Sequence, residues 1–448
     1  MKPFVHLLIV VACMVAGNGW AWSNHSLLSY PALEIMPEVA RAAPVAVEPL
    51  EAFLKAEEKG IESLLAVQES WARANVEAYA PRPDMLAFKA DPARSDAARR
   101  LAFVSALRVS PDSRFALFLQ PDGRRPFDAS TALPYSAVSF LPEPADSVYR
   151  FVGLKPAQLV PALAVVASAS DEPDYGLDIN LWEDSPSAWG KAYGFGKLPF
   201  GNPALNFSTQ APFHMGFFHQ DWLIFKAAPF IKRTLPIMRI NQYSGLAALA
   251  FRSGHAYWGW RFTGLALHYV QDLSQPYHAN LAPGNSSLRL ISANVLAMAG
   301  LPRQRDDIVV LLSNRHLALE KYQHDLMRKS ANAKQDTALD TALRDSRLDA
   351  GYPAWSESYA LQVAAREAYA TGERTASTIV DAMPAQLVSD PAFDFGVKES
   401  GIDLLDVMSK QPAGKRAELD ALLAELLGHC GAHTRNAVRG ILKAGGKS

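Results

Sequence analysis

The chain has 448 residues, a formal net charge of −1, 49% hydrophobic residues and 20% charged ones. That length can bury a large core, the composition is ordinary for a globular chain, and the near-neutral charge gives no electrostatic grip on a long nucleic acid. Only Cys13 and Cys430 are present, which excludes a cysteine-rich zinc site and leaves any zinc cluster to His, Asp and Glu.

Residues 1–21 read as a signal peptide. Lys2 supplies the positive start, Leu7 to Val15 the apolar run, and Gly19-Trp20-Ala21 a small-x-small cleavage site. The run is too short to span a bilayer, and no later stretch approaches about twenty uninterrupted apolar residues. A secreted or periplasmic protein without a transmembrane segment is expected. Val10-Val11-Ala12-Cys13 is a competing signal: cutting after Ala12 would leave Cys13 acylated as a lipid anchor. Once the leader is gone a single cysteine remains, so stability must come from the core and from bound metal.

Apolar residues recur at helical spacing over Ala46–Glu77, through Leu50, Phe53, Leu54, Leu64 and Leu65, and Asp91–Arg108 is a second helix candidate. Pro111–Pro144 reads as loop with a short strand at Phe115–Leu119, and Lys155–Ala169 as helix. Residues 171–220 are loop-like and rich in aromatics. Helices are expected at Trp222–Met238, Gly245–Val270, Arg305–Ala331, Gly351–Ala370 and Glu373–Met383, with a helical tail over Gly401–Leu442. The class is all-α, a multi-helix bundle with long loop insertions. The organisation is a leader (1–21), a catalytic domain (22–330) and a helical C-terminal extension (331–448).

The chemistry concentrates in Leu267-His268-Tyr269-Val270-Gln271-Asp272 and the residues after it. His268 and Asp272 are four apart, so on a helix they share one face and can grip one ion. Asp272 has two oxygens and can bridge two ions. Pro276 ends or breaks the helix and lets His278 turn back toward a neighbouring ion. His316 and Glu320 repeat the four-residue spacing on a later helix. One such pair is what an exposed helix face also carries. Two pairs and His278 together fit the way a bundle builds a metal site from facing helices. His255, His324, His429 and His433 are weaker candidates, with His324 placed to support Glu320 from behind.

The stretch from Gly264 through His268 and His278 to Asn280 resembles the signature of bacterial zinc-dependent phospholipase C enzymes, whose fold is shared with single-strand-specific zinc nucleases. The resemblance implies a trinuclear zinc cleft in a helical domain, with the amine and carbonyl of an N-terminal tryptophan among the ligands. Cleavage after Ala21 would place Trp22 there. His25 is similar to the family's first histidine ligand, Asp174 to its catalytic aspartate, and Tyr175 to the adjoining tyrosine, which can face a lipid head group. His214 looks like the next ligand, with His219 as a competitor. Gln271 stands where the signature prefers a smaller residue, a position expected on the back of the helix. The segment from His278 to His316 carries an insertion, and the helical tail does not match the family's β-sandwich tails.

The implied ligand set is Trp22, His25, Asp174, His214, His268, Asp272, His278, His316 and Glu320, holding about three Zn2+. The implied activity is hydrolysis of the glycerol-side phosphodiester of phospholipids such as phosphatidylcholine at a membrane or micelle surface. The products are diacylglycerol and a phosphorylated head group. A single-strand nuclease or 3′-nucleotidase of the same fold is the alternative enzyme, with no stable nucleic-acid partner expected. A non-catalytic zinc-binding structural protein is the alternative of another class. The aromatics from Trp182 to Phe225 can box a quaternary ammonium or line a lipid interface, and most of them equally suit a core.

Overall fold

The computed structural model describes residues 22, 24–144 and 147–447. The leader and the competing lipid box at Cys13 lie outside the described residues. The described chain is mostly helical, as its apolar spacing predicts, and its strands are two or three residues long. Val45–Ala46 pairs antiparallel with Leu159–Val160. Phe118–Leu119 and Ala132–Leu133 flank Phe151–Gly153 in a small antiparallel sheet. None of the described helices is long and apolar enough to cross a membrane.

The helices that matter here are α1 (His25–Glu34), α2 (Ala162–Ala169), α3 (Trp222–Ala227), α4 (Pro236–Arg252), α5 (Ala256–Leu273), α6 (Pro276–Ala279), α7 (Ser287–Met298), α8 (Arg303–Ala333), α9 (Ala365–Ala382) and α10 (Ala413–Ala444). At the centre is α5, every residue of which from Tyr257 to Leu273 is buried. A helix buried on every side needs neighbours all round: α2, α4 and α10 pack against this one, and α1 bonds to it through His25 and Ser29. The tail helix α10 thus joins the same core as α5, which carries His268 and Asp272.

Several boundaries differ from the periodic reading, each for a local reason. The single helix expected over Gly245–Val270 is a hairpin of α4 and α5. Its turn falls at Gly254, whose φ of 91° needs a residue without Cβ. Trp222–Met238 is broken because Pro229 and Pro236 each open a new helical element, where a missing N–H is harmless. The Ala46–Glu77 helix divides into Leu50–Ala56 and Glu58–Asn75. Conversely, the two helices expected either side of Gly372 are one, α9. A Cβ at Gly372 would lie 2.8 Å from Asn280 Nδ2, so the glycine serves close packing rather than a break.

Another glycine fixes the position of α5. A Cβ on Gly264 would sit 2.4 Å from the Val166 carbonyl oxygen and 2.6 Å from Ala169 Cβ, so only glycine lets α5 lie this close to α2. That approach brings His268, one turn further on, against the end of α2.

Candidate metal centre

Pro276 acts as expected on the chain's direction. α5 stops at Leu273, Gln275 caps the following turn, and Pro276 occupies the first position of α6. His268 and Asp272 project from the last turns of α5, and His278 returns from α6. His316 and Glu320 come from α8, His25 from the start of α1, and Asp174 from the short helical turn Glu172–Tyr175. His214 lies at the end of Ala211–His214.

All eight side chains are buried, between 0% and 6% exposed. Three groups have ligand atoms close enough to hold an ion: His25, His268 and Asp272; Asp174, His214 and His268; and His278, His316 and Glu320. Asp272 links them. Its Oδ2 lies 3.0 Å from His214 Nδ1 and 3.4 Å from His268 Nε2, and its Oδ1 lies 3.5 Å from His25 Nε2 and 3.7 Å from His278 Nδ1.

Hydrogen bonds fix which nitrogen of each ring is bare. His25 Nδ1 is 2.8 Å from Gln271 Oε1, His268 Nδ1 is 2.8 Å from the Ser170 carbonyl, and His278 Nδ1 is 3.1 Å from the His214 carbonyl. Each partner oxygen only accepts, so each Nδ1 carries the proton and each Nε2 presents its lone pair inward. This is the arrangement by which supporting groups orient metal-binding histidines. Two of the three bare nitrogens, His25 Nε2 and His278 Nε2, have no hydrogen-bond partner. Asp174 Oδ2, His214 Nε2, Asp272 Oδ1 and Glu320 Oε2 are also without partners. Leaving such atoms buried costs roughly 1–3 kcal/mol each. His214 Nε2 faces Asp178 Oδ2 at 3.6 Å; the other five together would cost on the order of the entire stability of a typical domain. Cations at their focus remove that cost, so the donor set fits a multi-ion site.

The electrostatics agree. Burial pushes Asp272 up to about 7 and Asp174 well above the carboxylate range, and it raises Glu320. Burial likewise lowers His25 to about 3 and holds His268 and His278 well below the usual imidazole value, so these rings are neutral and free to ligate. His214 differs. Burial acts downward on it but is outweighed by Asp272, with Asp178 and Asp174 adding, and it rises to about 10. In the metal-free site, its proton supplies positive charge among carboxylates where a cation would otherwise stand.

The second nitrogen of His214 leads to a residue that motif matching did not identify. Asp178 Oδ2 lies 3.6 Å from His214 Nε2 and accepts from the Tyr269 hydroxyl at 2.6 Å. Its Oδ1 accepts from both Nε and Nη2 of Arg239. Burial acts upward on Asp178 but is outweighed by Arg239, so the group stays ionised. Asp171 was also missed. Its Oδ1 accepts from the His25 backbone N–H at 2.7 Å, and its Oδ2 accepts from Gln120 and from the Tyr175 hydroxyl. The spacing of Asp171, Asp174 and Asp178 along one short segment was the available signal.

Gln271, expected on the back of the helix, instead reaches the cluster through His25. Besides holding His25, its amide donates to Ser29 Oγ at 2.9 Å and Thr434 Oγ1 at 3.2 Å, tying α5 to α1 and α10. Gln275 similarly donates to Glu320 Oε1 at 2.7 Å, beside His316 Nε2 at the same distance.

Trp22 is buried, and its indole donates to Ser274 Oγ at 3.3 Å, so it is carried to the end of α5. His219 is not brought into the cluster: its Nε2 faces the Leu361 carbonyl at 2.8 Å. Tyr175 is buried, with its hydroxyl turned to Asp171 and Gln120 and its ring packed among Phe118, Tyr135, Tyr149 and Phe151. His255 pairs with Glu48, and His324 turns to Asp325. His429 and His433 share Glu367. No family model, curated protein or solved structure matches the chain.

Proposed function

We propose that this protein is a zinc-dependent phosphodiesterase of the phospholipase C type, cleaving the glycerol-side bond of phospholipids such as phosphatidylcholine. One observation carries the reading: unpartnered nitrogen and oxygen atoms of His25, Asp174, Asp272, His278 and Glu320 converge in one buried cluster with His214, His268 and His316. A nitrogen-and-carboxylate donor set without cysteine suits Zn2+. The order of these donors along the chain is also the order that the resemblance to zinc-dependent phospholipases C implies. The three groups, with Asp272 lying among them, would hold about three ions. Zinc, when bound, neutralises charge building on the phosphoryl oxygens and makes a water acidic enough to attack near neutral pH.

The chain's own residues then divide the work. Asp174 has one oxygen 3.4 Å from Gln210 Nε2 and the other without a hydrogen-bond partner; with cations beside it to keep it ionised, it would take a proton from the attacking water. The water oxygen bonds to phosphorus, the bond to the glycerol oxygen breaks, and that oxygen leaves as the hydroxyl of diacylglycerol by taking a proton from solvent water, while Asp174 returns its own to solvent. The phosphorylated head group is the second product. Asp178, fixed by Arg239 and Tyr269, orients His214. Gln271, Ser170 and the His214 carbonyl hold the other rings.

The test is zinc content by elemental analysis together with release of chromophore from p-nitrophenyl phosphorylcholine. About three zinc ions per chain and chelator-sensitive turnover are expected. Asp174→Asn should lower kcat about 10²–10⁴-fold, while the group built on His278, His316 and Glu320 keeps its metal. Stoichiometric zinc without turnover on this substrate or on phosphatidylcholine would leave a metal-binding structural protein. Turnover confined to single-stranded DNA would select the nuclease alternative.

A further inference from the structure

The insertion between His278 and His316 contains a helix with apolar residues turned to solvent. In α7 and the turn after it, Leu288, Val295, Leu296, Met298 and Leu301 are 72, 48, 39, 49 and 62% exposed, and Trp222 at the start of α3 is 66% exposed. Large exposed apolar residues elsewhere among the described residues are scattered singly, whereas five fall within 288–301. Such a concentration marks a contact surface rather than ordinary exposure.

Leu288 and Val295 share the outer face of α7, two turns apart, with Leu296 and Met298 on its flanks. Leu290 and Ile291 face inward and pack with Ile224 and Leu281. The helix is therefore apolar on both sides yet half uncovered, a pattern that belongs to neither a core helix nor a water-facing one. α3 packs beside it, and Ser287 Oγ donates to Asp221 Oδ2 at 3.4 Å, which places Trp222 next to the first turn.

Charge points to the occupant. No acidic residue occurs between Asp272 and Asp306, and Arg289 and Lys226 are exposed around the patch; Asp221 beside Trp222 is bonded by Ser287, and Arg303 faces Asp307 at 3.8 Å. Lys226 Nζ lies 5.9 Å from the centre of the Trp222 ring. An aromatic beside a cation, with leucines projecting beyond, matches an interface of lipid acyl chains under anionic head groups. We propose that α7 and Trp222 form the surface by which this protein docks on an anionic phospholipid bilayer. In giving the site a lipid surface to work on, the inference rests on the phosphodiesterase reading; docking itself is measured without turnover.

The experiment is co-sedimentation of the full chain with vesicles of phosphatidylcholine and phosphatidylglycerol. The parent protein should bind, more weakly in high salt or to phosphatidylcholine alone. Leu288→Ser combined with Val295→Ser should lower partitioning on the order of 100-fold, and Trp222→Ala should lower it in the same direction, with thermal unfolding unchanged. Glu320→Gln, which breaks the metal cluster, should still bind vesicles. Docking by a parent protein that hydrolyses none of these lipids would sink the phosphodiesterase reading alone. No binding by the parent, or equal binding by the double variant, overturns the docking surface. So does a dimer in sedimentation velocity that the double variant makes monomeric while vesicle binding stays as before.

Discussion

Gln271 offers the sharpest test of how the centre is held. Replacing it with Leu keeps the volume and removes three hydrogen bonds, to His25 Nδ1, Ser29 Oγ and Thr434 Oγ1. The His25 Nδ1–H is then a buried donor without an acceptor, at a cost of roughly 1–3 kcal/mol, and the two lost amide bonds add about 1 kcal/mol each. Ser29 keeps its bond to Ser170 Oγ at 2.8 Å, and the total should be about 3–5 kcal/mol. The imidazole also loses the contact that fixes its tautomer, and zinc affinity at the group containing His25 should fall about 10–100-fold. Gln271→Glu separates the two effects. Its carboxylate still accepts from His25, and the hydroxyls of Ser29 and Thr434 can turn to donate, so affinity should stay close to that of the parent. Competition with a chromophoric zinc chelator reads the affinity, and thermal unfolding in excess chelator reads the fold. If Gln271→Leu binds zinc within about twofold of the parent, the supporting role assigned to this bond is wrong.

Other outcomes follow from the same geometry. The metal-free protein should lose stability as pH rises from about 7.5 to 10. His214 is raised to about 10 in the folded state, so the stability it contributes is fully present below its unfolded value of 6.5 and is lost toward 10. His25, His268 and His278 are neutral in the folded state throughout and in the unfolded state above about pH 7.5, so they cannot compensate beyond that point. Unfolding temperatures of chelator-treated protein should fall across that range, and a flat profile would contradict the charge assigned to His214. Gly264→Ala forces a Cβ to within 2.4 Å of a backbone carbonyl and should destabilise by about 1–3 kcal/mol; an unchanged denaturation midpoint would show that α2 and α5 move apart freely. Asp178→Asn removes the anion that Arg239 pairs with at 2.6 Å while both are fully buried, and should cost about 3–5 kcal/mol. Urea unfolding within about 1 kcal/mol of the parent would show that the arginine finds other compensation.

Much of this protein was decided within short reach along the chain. Spacing four residues apart on a helix is a local property, so His268 with Asp272 and His316 with Glu320 could be paired from sequence, and Pro276 could be seen to turn the chain toward His278. The helical class followed for the same reason, since an apolar stripe at helical period has few other uses. What the sequence left open depended on partners far away in the chain. Nothing local distinguishes His214 from His219; the fold sends one to Asp272 and the other to the Leu361 carbonyl. Gln271, taken as the back of a helix, gained its part because α1 and α10 pack there, and Asp178 because Arg239, from α4, meets it in the core. The four-residue helical spacing needs only the backbone's own geometry, but the hydrogen bonds that leave an imidazole nitrogen bare come from segments up to hundreds of residues distant, and only the packed core brings them together.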